Sequence, residues 1–140
     1  MKNEAQMQTL FNNWLAKTHW DWLPGDQVSA VFELKFVHTE KHKSIPFGNV
    51  QTHQMRGLRL ATKALIYKIP DGFAGGKKPF DSFIIREASA YVVLMFYKPR
   101  KPKEFILIDI YDFTEAKKTS KRKSLTEEMA KAIGKVYKVK

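Results

Sequence analysis

A chain of 140 residues fits one folded domain, and its 44% apolar share is enough for a core and unlike a disordered chain. Lys and Arg number 25 against 14 Asp and Glu, a formal charge of +11 that points to a polyanionic partner and names no chemistry. The sequence has no cysteine, which excludes disulfides, thiolate zinc sites and a cysteine nucleophile.

In chain order, Met7, Leu10, Phe11, Trp14 and Leu15 recur at helical spacing and predict an amphipathic helix from Asn3 to Lys17. The same stretch, with an early Glu4 and no long apolar core, is not expected to be a signal peptide. No apolar run approaches the ~18 residues needed to span a bilayer, so an intracellular, cytoplasmic protein is expected. Leu23-Pro24-Gly25-Asp26 is a turn signal. After it, Val28 to Val37 reads as a strand, with Phe32, Leu34 and Phe36 on one face and Val31, Glu33, Lys35 and Val37 on the other.

Ser44 and Pro46 look like a helix entry. Phe47, Val50, Gln54, Leu58, Ala61 and Leu65 then form one helical stripe, with the polar Gln54 among apolar residues. Ala64 to Ile69 suits a short strand and Pro70 to Lys78 a glycine-rich loop. Three strand-like runs follow, Phe80 to Arg86, Ala90 to Tyr97 and Phe105 to Tyr111, the first two close enough to read as a hairpin. Lys98 to Lys103 and Lys117 to Lys123 are basic connections. Ser124 with Glu127 has the capping-box pattern, opening a last helix on Leu125, Met129, Ala132, Ile133 and Val136. There is no internal repeat, and 1–140 reads as a single α/β domain.

Glu33-Leu34-Lys35 is the sharpest chemical feature. Residues two apart on a strand project from the same face, so a carboxylate and an ammonium share one space. In phosphodiester cleavage such a carboxylate holds Mg²⁺, and the ammonium positions the attacking water or offsets phosphate charge. A solvated ion pair on an exposed strand has the same pattern. Gln54 has an argument of its own, because a primary amide on a buried stripe costs free energy unless it is hydrogen-bonded. His53, one position off the stripe, reads as structural or DNA-facing.

The succession Glu33-Leu34-Lys35, Ile45-Pro46-Phe47, Val50 and His53-Gln54 resembles the RecU-like and phage-type Holliday junction resolvases of the PD-(D/E)xK nuclease superfamily. The resemblance covers 28–58 well and 91–113 loosely. It implies a restriction-endonuclease-like fold, a mixed sheet flanked by helices, and Mg²⁺-dependent cleavage of branched DNA, with Mn²⁺ as a substitute. It also implies that Gln54 reaches the active site and that the protein acts as a homodimer.

The family's Asp usually precedes the ExK strand by a hairpin. Asp26 stands seven residues before Glu33 on the expected strand, about 23 Å away, and Asp21 reflected through the turn falls about 17 Å away, so both read as turn residues. By resemblance Pro79-Phe80-Asp81 is the better candidate, since it opens a strand that enters a hairpin. The expectation is a rearranged strand order in which the Asp81 strand packs beside the Glu33 strand, with Mg²⁺ between the two acids. Asp109, between Ile108 and Ile110, is a lesser candidate, and Asp71 before Gly72 is a turn residue. Lys41, Lys43, Arg56, Arg59, Lys77 and Lys78 are the expected phosphate contacts. No Walker-type loop, Ser/His/Asp nucleophile or zinc spacing is present. The rival readings are a same-fold nuclease acting on flap or duplex DNA and a non-catalytic basic nucleic-acid-binding protein.

Overall fold

The computed structural model describes residues 3–23 and 29–139. Asp26 and Val28, the start of the expected strand, lie outside the described residues.

The first helix, α1, runs over Glu4–Trp22, longer than its apolar spacing predicts, and takes Asp21 into its last turn. The Asn3 side chain accepts from the Gln6 N–H at 3.0 Å and so closes the first turn. Its buried stripe is Met7, Phe11 and Trp14. Strand β1, Ala30–His38, follows. The expected helix entry at Ser44 is instead a short strand, β2 (Ser44–Pro46), and a single 3-10 turn over Phe47–Asn49. Only then does α2 begin, over Thr52–Ala61, with Gln51 as its N-cap.

Strands β3 (Ala64–Lys68) and β4 (Ser82–Arg86) form an antiparallel hairpin of their own. They are followed by β5 (Ser89–Tyr97) and β6 (Glu104–Asp109). Helix α3 (Ile110–Thr119) replaces the end of the last expected strand. Ser124 lies in β7 (Ser124–Thr126), so the cap of α4 (Glu127–Ile133) is Thr126, whose hydroxyl accepts from the Met129 N–H at 3.2 Å. Gly134 ends α4, and Lys135–Lys138 forms β8, where Val136 had been expected on a helix.

The main sheet has the order β1-β5-β6-β8, with β1 parallel to β5 and the other pairs antiparallel. The expected pairing of the Asp81 strand with the Glu33 strand is not formed. β4 bonds to β3, while β1 bonds to β5 with Glu33 opposite Val92. The expected hairpin between 80–86 and 90–97 is absent for the same reason. Glu87, at φ 55, bends the chain out of the small sheet and into the large one.

Each face of the sheet carries its own core. Phe32, Leu34 and Phe36 pack with Val93, Met95, Phe105 and Leu107 beneath α1. On the other face Val37, Val92, Leu94, Ile106 and Ile108 meet Met55 and Leu58 of α2, Phe113 of α3 and Ala130 of α4. Strand alternation therefore sends Glu33 and Lys35 to the α2 side. Among the described residues no helix is long and apolar enough to cross a membrane.

Candidate active site

β1 and α2 between them build one polar cluster at the margin of an apolar core. Gln54 is the third residue of α2, and the helix start dictates what its amide does. The Gln54 Oε1 accepts from the Gln51 backbone N–H at 2.9 Å, one half of a capping box. With the oxygen so used, the amide nitrogen turns toward the sheet and donates to Glu33 Oε1 at 2.8 Å. Lys35 Nζ lies 3.4 Å from the same Glu33 oxygen. The side chains of Lys35 and Glu33 are 13% and 27% exposed, so the pair is far drier than a surface ion pair yet open on one side.

Three of the four expected catalytic residues, Glu33, Lys35 and Gln54, thus converge. The fourth sits elsewhere. Asp81 precedes β4 at the loop end of the β3–β4 hairpin, its side chain is 87% exposed, and its carboxylate pairs with Lys78 at 3.2 Å. Lys78 also holds Asp71 at 3.0 Å, so one ammonium bridges two carboxylates. Asp71 lies in a turn, as its place before Gly72 predicts, and it meets Asp81 through their shared partner Lys78. Lys78 is correspondingly not a free phosphate contact, because its charge is already matched.

Asp109 caps α3, with its carboxylate accepting from the Tyr111 N–H at 2.8 Å. Asp21 is exposed on α1, and His53 is exposed on α2. Of the expected phosphate contacts, Lys41, Lys43, Arg56 and Lys77 are exposed and Arg59 is half-buried.

Comparison with protein-family models, with curated proteins and with solved structures returned no match. What the cluster can do follows from its chemistry alone.

Mg²⁺ binds through one or two carboxylates together with waters and substrate phosphates. Glu33 offers one carboxylate, and both of its contacts fall on Oε1, so Oε2 takes part in neither. Among the described residues no group of three or more His, Asp or Glu side chains comes together. The residues present suit a cation that draws further ligands from a substrate, and do not form an all-protein cage.

Proposed function

We propose that the chain is a metal-dependent endonuclease of the PD-(D/E)xK type, built on a restriction-endonuclease-like arrangement of its mixed sheet, and that it hydrolyses DNA phosphodiesters at a branched junction. The observation that carries this reading is the meeting of the Gln54 amide and the Lys35 ammonium on one oxygen of Glu33. In this reading Glu33 is the metal's carboxylate, and Gln54 fixes its orientation from a helix end. Lys35 sits where an ammonium offsets phosphate charge or orients a water molecule. Bound Mg²⁺, with Mn²⁺ as a substitute, supplies Lewis-acid stabilisation of the phosphate. Asp81, on a separate hairpin and paired with Lys78, is not used as the second acid in this reading, and the metal's remaining ligands are waters and substrate phosphate oxygens. A two-fold dimer belongs to it as well, because the two strands of a junction call for two symmetric cuts.

The test is cleavage of a labelled four-way junction, a flap and a linear duplex, with Mg²⁺ and with EDTA. Wild-type protein is expected to cut the junction in preference to the others, and only with metal. Glu33→Gln keeps the shape and loses the charge, so it should reduce cutting to background. Asp81→Ala should leave both cutting and melting temperature close to wild type, since that carboxylate is exposed and paired with Lys78 away from Glu33. Loss of cutting in Asp81→Ala would bring Asp81 into the site, and full activity in Glu33→Gln would end the nuclease reading.

A second reading, a non-catalytic basic protein that binds nucleic acid, is favoured by one observation: the Asp81 strand does not pair with the Glu33 strand, and Asp81 is paired with Lys78. It predicts salt-sensitive binding with no cutting of any of the three DNAs.

A further inference from the structure

Between α3 and β7 the chain runs Lys117-Lys118-Thr119-Ser120-Lys121-Arg122-Lys123. The segment folds against Phe47 and Gly48, and together they enclose a concavity of about 420 Å³. Its lining holds Lys117, Lys121, Arg122 and Lys123 and no carboxylate. The walls are anchored. Pairing of β2 with β7 sets Pro46 opposite Ser124, and the Phe47 N–H carries the ladder one step further by donating to the Lys123 carbonyl at 3.0 Å. Phe47 is 3% exposed, with its ring 5.7 Å from that of Phe113. The Arg122 N–H donates to Ser120 Oγ at 3.1 Å, which shapes the turn.

A run of lysines is usually a solvated surface, and two of these have a local use. Lys117 and Lys118 lie in the last turn of α3, where cations complement the helix dipole. That effect fades within a turn, so it does not account for Lys121, Arg122 and Lys123, which lie beyond the helix. Ion pairs among the described residues engage Lys35, Lys78, Lys98 and Lys131 instead. Four cations around one concavity without an acid repel one another unless an anion enters. The concavity is tied to α2, the helix that carries Gln54. Gly48 lies three residues before the cap Gln51, and Lys117 Nζ approaches Met55 Sδ, on the residue after Gln54, at 3.9 Å.

We infer that this concavity seats backbone phosphates of DNA, extending the substrate's path from Glu33 past the N-terminal end of α2 to the Lys121–Lys123 turn. The inference rests on the reading of DNA as the substrate. It does not depend on cutting, so binding can be measured without metal.

The experiment compares fluorescence anisotropy of a labelled duplex, in EDTA and over a salt series, for three proteins. One is wild type, one carries Lys121→Gln, Arg122→Gln and Lys123→Gln, and one carries Lys17→Gln, Lys135→Gln and Lys138→Gln. The last set removes the same charge from exposed positions on α1 and β8. The 121–123 variant should bind roughly tenfold or more weakly at moderate salt, with a log–log salt slope shallower by about 2.7 if all three contacts are lost. The 17/135/138 variant should stay close to wild type. Equal slopes for wild type and the 121–123 variant, or equal losses in both variants, would overturn the inference. So would wild-type binding to mixed phosphatidylcholine–phosphatidylserine vesicles in place of DNA, or binding to neither. An unchanged 121–123 variant alongside an inactive Glu33→Gln would remove the phosphate seat and leave the nuclease. A weakened 121–123 variant of a protein that cuts nothing would do the reverse.

Discussion

The Gln54 amide has two ends, and each is committed to a different element. Its carbonyl oxygen closes the first turn of α2, and its nitrogen holds the Glu33 carboxylate on β1. A partly buried primary amide beside apolar residues is costly when unpaired, and here both its oxygen and its nitrogen have a partner. Gln54→Ala removes both bonds at once. Loss of the cap alone should destabilise the protein by about 1 kcal/mol, read as a lower midpoint in urea. Cleavage should fall further than stability, because Glu33 would keep only Lys35 to hold it. Stability unchanged in that variant would mean that the helix start is held by something else.

At the level of elements, α4 and β8 are joined at Gly134 under tight steric limits. A Cβ there would lie 2.8 Å from Ile108 Cγ1 and 2.9 Å from both Ile106 Cγ2 and the Leu107 carbonyl oxygen. Gly134→Ala must push β8 or β6 aside, and overpacking of this kind costs about 1–3 kcal/mol, measurable as a lower melting temperature. Much of the architecture was legible beforehand where a period is strong. The stripe of Met7, Phe11 and Trp14 is buried as the spacing predicts, and the alternation through β1 puts Glu33 and Lys35 on the face opposite Phe32, Leu34 and Phe36. Helix α3 was hidden because Asp109 and Ile110 continue an apolar strand run, so the cap looks like another strand residue. β8 was hidden because Val136 extends the helical spacing of α4. The position of Asp81 was illegible for a deeper reason: which strands pair is decided by contacts distant in the chain, and nearness in sequence wrongly joined 80–86 to 90–97. Gln54, in contrast, stood out because a polar side chain on an apolar stripe has to find a partner, although its place beside Glu33 followed only from the resemblance.

The whole molecule carries a formal charge of +11, and its native state holds those cations closer together than an unfolded chain would. Screening should therefore stabilise the free protein. Raising salt from about 10 mM to about 150 mM shortens the Debye length from roughly 30 Å to roughly 8 Å. The melting temperature should rise over that range, while DNA binding weakens over the same range. These opposite responses separate self-repulsion from partner attraction in one pair of titrations. A falling melting temperature would show that the ion pairs, such as Lys98–Glu127 and Lys131–Glu104, outweigh the repulsion.

The doubly bonded amide also makes a reporter. Hydrogen–deuterium exchange at the Gln51 backbone amide depends on the Gln54 oxygen, and the rotamer of Gln54 depends on Glu33. Anything that loads, neutralises or displaces that carboxylate should therefore change the rate at which a peptide proton on a different element trades with solvent, giving an optical-label-free readout of site occupancy from a single resolved resonance.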